Sequence, residues 1–204
     1  MSKNRLKIKI ASARNMMLKF DYEPTHAKQV TRLALQLFDA LQILHGFGQN
    51  ERAILEAAAL LHDIGWLEGR KGHHKTSMKL ILKNNLPGWS DEEKLLIANI
   101  ARYHRKSLPN DSHKNFAVLG EKEKSLVRKL SALLRIADAL DRSHNKVVDS
   151  VKAGIDSDTV NLSLVVRGEI SMELYGFEKK RDLFVEAFAL SIVVDKIKNV
   201  WDKN

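Results

Sequence analysis

The sequence has no cysteine, which excludes disulfides, zinc fingers, thiolate metal sites and cysteine nucleophiles. No apolar run approaches the roughly 18 residues that a bilayer span needs. The opening segment, Met1 to Ile10, is basic and alternating. It lacks the apolar stretch and small-residue cleavage site of a secretory leader, so a cytoplasmic protein is expected. There is no Gly-Lys-Ser or Gly-Lys-Thr string, which excludes an ordinary P-loop ATPase. Aromatic residues are only 6% of the chain and are not interleaved with basic ones, as a base-stacking surface would require. There is no internal repeat and no long low-complexity linker. Acidic residues are in deficit, 25 against 34 Lys and Arg, for a net charge of +9. That charge favours an anionic partner without choosing among nucleic acid, phosphate esters and membrane surfaces. The 204 residues are 44% hydrophobic and 29% charged, enough for one cored domain, or one domain with a small appendage.

Apolar periodicity gives an ordered series of elements. Leu6, Ile8 and Ile10 alternate with Lys7 and Lys9, which suggests a short strand or an arm over residues 1–11. Ser12 is placed to cap a short helix running to about Phe20. Pro24 suits the first turn of the next helix, whose stripe is Val30, Leu33, Ala34, Leu37 and Leu41. Helices follow from Glu51 to about Ile64, from His74 to about Asn84, from a Ser90–Glu93 capping box to His104, and from about Lys122 to Asp141. Beyond His144 the period changes. Val160, Leu162, Leu164 and Val166 alternate as a strand, and Ile170, Met172 and Leu174 alternate again, which predicts a hairpin. Lys179 to Phe188 is a helix, and Leu190 to Val194 fits either its extension or a closing strand. The expected fold is mainly α, a helical bundle over 12–144 followed by a small α/β subdomain over 145–204.

Polar residues stand on the buried faces of these helices. His26 precedes Val30 by four positions, and His62 follows Ala58 by four with Asp63 beside it. His74 is four before Met78, His104 four past Ile100, and Asp138 four past Leu134. Burying each of them alone would need separate hydrogen-bonding partners, because an isolated carboxylate in an apolar interior gives up its charge. A shared metal cluster satisfies all of them together. Imidazoles and carboxylates without sulfur suit one or two divalent transition ions, Mn²⁺, Fe²⁺, Zn²⁺, Co²⁺ or Ni²⁺, and disfavour Mg²⁺ alone.

The string AAALLHDIGW resembles the core motif of the HD-domain metal-dependent phosphohydrolases. That resemblance implies a first metal held by His26, His62, Asp63 and Asp138. It implies a second held by two histidines between the pair and the late aspartate, here His74 and His104, with Asp63 bridging. His73 competes with His74, because the preceding loop decides which faces in. HHKTSMKLILKNNLPGWS, ARYHRKSLP and LLRIADALDRSH further resemble the C-terminal HD region of the Ppx/GppA family, the exopolyphosphatases and guanosine pentaphosphate phosphohydrolases. The likeness runs from about Ser12 to the end, includes a ββαβ-like tail and does not include that family's N-terminal actin-like domains. By this analogy Leu190 to Val194 is a strand.

The implied chemistry is hydrolysis of a phosphoester or phosphoanhydride by a metal-bound hydroxide. Asp63, Arg105 and Lys75 are the expected catalytic side chains. Arg102, Arg105, Lys106, Arg135 and Arg142 are candidates for phosphate contacts. The expected partner is a phosphorylated small molecule or polyphosphate rather than membrane or nucleic acid, with a homodimer left open. The alternative is a non-catalytic phosphate-binding or dimerisation module.

Overall fold

The computed structural model describes residues 3–21 and 23–201. The helical body comprises α1 (Lys3–Phe20), α2 (Pro24–Ala40), α3 (Gln42–His45), α4 (Gln49–Leu61), α5 (His73–Lys83), α6 (Asp91–Arg102), α7 (Lys114–Ala117) and α8 (Glu121–Ala139). A 3₁₀ turn, Ile64–Glu68, lies between α4 and α5. The tail runs β1 (Val148–Asp156), β2 (Thr159–Val166), α9 (Ser171–Lys180), α10 (Asp182–Phe188) and β3 (Ser191–Asn199). The fold is mainly α with a small three-stranded sheet, as the sequence pattern leads one to expect. No helix among the described residues is long and apolar enough to cross a membrane.

The body forms where apolar spacing is helical. Val30, Leu33, Ala34 and Leu37 of α2 are all buried, and Pro24 sits in the first turn. Ala57, Ala58 and Ala59 of α4 are fully buried; their small side chains allow close packing by α1, α2 and α6. The Ser90–Glu93 capping box forms, with Glu93 N–H donating to Ser90 Oγ at 3.2 Å and Ser90 N–H to Glu93 Oε2 at 3.1 Å.

The first segment corrects the expected strand or arm. Residues from Lys3 onward are helical, because Lys9 is not a solvated outward residue but is 1% exposed. Its ammonium bonds Glu93 at 2.5 Å and lies 4.7 Å from the Trp89 ring centroid, while Trp89 Nε1–H donates to Lys9 O at 2.9 Å. Ser12 does not cap; its hydroxyl donates back to Lys9 O at 2.8 Å in mid-helix.

The tail also differs in detail. β2 buries Val160, Leu162, Leu164 and Val166 as expected, but its hairpin partner is β1, paired antiparallel from Val148↔Val166 to Asp156↔Thr159. Ile170 to Leu174 is no strand: Ile170 is buried ahead of α9, and Met172 and Leu174 belong to that helix. The predicted single helix from Lys179 is broken at Arg181 into the end of α9 and the start of α10. β3 pairs parallel with β2, so the run at Leu190 to Val194 is largely strand. Gln29 Nε2–H donates to Val148 O at 2.7 Å and Val151 N–H to Gln36 Oε1 at 3.0 Å, which fastens β1 against α2.

Candidate metal centre

Four imidazoles are oriented by one device. In each, Nδ1 meets an acceptor and Nε2 is turned inward. His62 Nδ1 lies 2.7 Å from Ala59 O, His104 Nδ1 2.6 Å from Ala101 O, and His73 Nδ1 3.0 Å from Arg70 O. A carbonyl only accepts, so Nδ1 carries the proton and the Nε2 lone pair is free. All three use the carbonyl three residues back. For His62 and His104, this satisfies a group that the end of α4 or α6 leaves open. His26, in the first turn of α2, uses a carboxylate instead: Nδ1 is 2.8 Å from Asp141 Oδ2. Asp141 is fully buried, and its other oxygen accepts from Lys146 N–H at 2.8 Å. The His144 ring stacks on His26 at 3.7 Å and 3°, held by Glu23 Oε2 at 2.7 Å.

Gly65 makes the approach of α5 possible. A Cβ there would fall 2.2 Å from His73 O and 2.5 Å from Ser77 N. Ser77 closes the contact, its hydroxyl donating to His62 O at 2.7 Å and accepting from Gly65 N–H at 3.0 Å.

The inward nitrogens converge on two carboxylates. Asp63 Oδ1 lies 3.0 Å from His73 Nε2 and 3.4 Å from His104 Nε2, and those nitrogens are 3.4 Å apart. Asp63 Oδ2 lies 3.6 Å from His62 Nε2 and 3.9 Å from His26 Nε2. Asp138 Oδ1 completes that side, 3.3 Å from His26 Nε2 and 3.8 Å from His62 Nε2. Donors about 2.1 Å from a common ion stand roughly 3.0–4.2 Å from one another across tetrahedral and octahedral arrangements, and these sets fall in that span. His26 Nε2, His62 Nε2 and Asp63 Oδ1 are buried and make no hydrogen bond, which a divalent ion would remedy. The groups His26, His62, Asp138 and His62, Asp63, His104 are close enough to hold one.

The charges are strongly coupled. Burial opposes protonation of His26, yet the carboxylates of Asp138, Asp141 and Asp63 beside it outweigh burial and raise its pKa to about 10. Burial opposes ionisation of Asp63, but His62, His73 and His104 hold its carboxyl well below the usual range. For Asp138 burial is likewise overcome, chiefly by Lys180 and His26. Burial pushes His104 well below the ordinary imidazole value.

Of the residues expected from sequence, His26, His62, Asp63, His104 and Asp138 come together. His73 rather than His74 reaches Asp63. Among the described residues His74 makes no ion pair with either carboxylate. Its ring centroid is 6.5 Å from that of His104, and burial together with neighbouring positive charge lowers its pKa to about 4. A cleft of about 680 Å³ opens over the centre, and Arg105, Lys106 and Arg142 line it. Arg105 Nη1 is 3.3 Å from His73 Nε2. Arg135 lines the cleft as well, but is 3% exposed, with its guanidinium engaged by carbonyls and Asp182. Two expected contacts lie elsewhere. Arg102 points at Met78 and is not part of the cleft lining, and Lys75 is exposed outside it. The residues not foreseen are Asp141, His144, Glu23 and Lys180. Asp141 stands three positions past Asp138, a spacing that puts both on one side of the helix end. Lys180 carries no comparable signal, being 42 residues from its partner.

Residues 8–179 match the family described as Ppx/GppA phosphatase, domain III. The chain belongs to that family. It is 31% identical over 114 residues to the guanosine-5'-triphosphate,3'-diphosphate pyrophosphatase of Pseudoalteromonas translucida (strain TAC 125), covering 55% of this chain and 22% of that protein. It is 28% identical over 148 residues to the protein of the same name from Vibrio vulnificus (strain YJ016), covering 72% and 29% respectively. The matched part is thus less than a third of either relative's length.

Proposed function

We propose that the chain is an HD-type, metal-dependent phosphohydrolase module acting on a phosphoanhydride or phosphoester. The observation that carries this reading is Asp63, whose two carboxylate oxygens face two different sets of inward imidazole nitrogens. His26, His62, Asp138 and Asp63 Oδ2 would hold one ion; His73, His104 and Asp63 Oδ1 would hold a second. Bound there, divalent ions supply Lewis-acid charge and acidify water. Arg105, Lys106 and Arg142 would grip the phosphate from the cleft wall. In the reaction, water oxygen bonds to phosphorus, the bond to the leaving oxygen breaks with its electron pair, and the water proton is released to solvent or to the leaving group. The names of the relatives support a substrate of the guanosine polyphosphate kind.

The test is metal content and turnover of Mn²⁺-loaded protein and its Asp63→Ala variant. The substrates are guanosine 5'-triphosphate 3'-diphosphate, tripolyphosphate and a chromogenic phosphodiester. About two ions per chain and metal-dependent hydrolysis are expected, both lost in the variant. Hydrolysis that survives Asp63→Ala would sink the reading. One observation favours a second reading, a phosphate-binding module without turnover: the relatives named for the activity are more than three times the length this chain matches. Retained metal and tripolyphosphate binding with no hydrolysis of any substrate would select it.

A further inference from the structure

Asp138 divides its carboxylate between two neighbours. Oδ1 faces His26 and His62, while Oδ2 bonds the Lys180 ammonium. Lys180 is the last residue of α9, in the tail, and its side chain is 15% exposed where it lines the cleft. An ammonium beside a metal ligand opposes the cation that the ligand would hold, and the opposition grows in a partly desolvated site. Support of the metal therefore does not account for this lysine, whereas an anion entering the cleft does.

The lysine is held in place from beneath. Arg135 lies one helical turn before Asp138 on α8, and its guanidinium reaches Lys180 O at 3.4 Å and Asp182 Oδ1 at 2.8 Å. The same guanidinium reaches Tyr103 O at 3.3 Å and Lys106 O at 3.4 Å. Lys106 has a left-handed backbone, φ 61°, a conformation a side-chain-bearing residue keeps only where its surroundings impose it. Arg135 thus ties the α9–α10 junction to the segment carrying His104 and Arg105. Lys180 and Arg105 share the cleft wall, one from the tail and one from the helical body.

We infer that Lys180 is a catalytic residue of this site, donating from its ammonium to a phosphoryl oxygen of the bound substrate, so that the tail supplies part of the active site. The inference rests on the phosphohydrolase reading, but its test does not depend on turnover.

The experiment compares wild type, Lys180→Met and Lys180→Arg in the full chain. It measures Mn²⁺ affinity, tripolyphosphate affinity of the Mn²⁺-loaded protein, and hydrolysis. Removing the charge should leave Mn²⁺ affinity equal or higher and weaken tripolyphosphate by about ten- to a hundredfold, with Lys180→Arg recovering most of the loss. A lysine that only braces Asp138 would move metal and anion affinity down together, and that result overturns the inference. So does tripolyphosphate affinity within about twofold of wild type. If wild type hydrolyses nothing while anion affinity still depends on Lys180, the hydrolase reading falls and the anion contact stands.

Discussion

The two sides of Asp63 are built differently. On one side His26 is braced by the buried carboxylate of Asp141 and by the stacked His144 ring, and Asp138 contributes a second charged oxygen. On the other, the Nδ1 atoms of His73 and His104 meet neutral carbonyls, those of Arg70 and Ala101, Trp66 stacks on His73 at 5.1 Å, and the Arg105 guanidinium stands 3.3 Å from His73 Nε2. Each side has a neighbouring cation, Lys180 on Asp138 and Arg105 beside His73, but the first set adds Asp138 and the Asp141 brace while the second has one carboxylate oxygen. A stiff, charge-rich set binds more tightly than a sparse one. The centre should therefore load in two steps, with the His26 side first and the His73 side exchangeable.

Gly65→Ala is the strongest way to break that asymmetry. The added methyl would meet His73 O at 2.2 Å and Ser77 N at 2.5 Å, backbone that cannot yield without moving α5. A cost of about 3 kcal/mol is expected, read as a lower urea midpoint. The variant should also lose the weaker ion while the His26 side still binds. Equal loss of both ions would mean that the two sides are one rigid unit. His104→Ala tests the same comparison with less damage to the fold. It should reduce two bound ions to about one and leave the tight site within about threefold of wild-type affinity. A variant that binds no ion would contradict stepwise loading.

The same contrast explains how much could be read from sequence. The body was legible because its contacts are periodic: the stripe of α2, the Ser90–Glu93 box and the inward faces of His62 and His104 all follow from spacing along one helix. Failures arise where a residue's partner is remote. Lys7 and Lys9 alternate like a solvated strand face until Glu93, 84 residues away, gives Lys9 a place inside. β1 carries Asp149, Ser150 and Lys152 among its apolar residues, so its alternation shows only when β2 is laid beside it. Arg135 looks like a phosphate ligand beside Asp138 until the α9–α10 junction closes over it. Lys180 was invisible for the same reason.

His74→Ala gives the smallest expected effect and the sharpest resolution. The choice between neighbouring histidines depends on Gly72, whose φ of 81° lets the chain turn into α5 so that His73 is its first residue. From there His73 Nε2 reaches Asp63 Oδ1 at 3.0 Å, while the His74 ring stands edge-on to those of His73 and His104, at interplanar angles of 90° and 86°. Its surroundings are cationic: Arg102, Arg105 and Lys75 all disfavour its protonated form. Truncating it removes a buried ring but no donor to either set. Metal stoichiometry should stay at the wild-type value, and stability should fall by about 1–2 kcal/mol from lost packing. His73→Ala, measured beside it by the same metal titration, should lose the weaker ion. The reverse pattern, metal lost with His74 and kept without His73, would exchange the two histidines and with them the geometry assigned to the second side of Asp63.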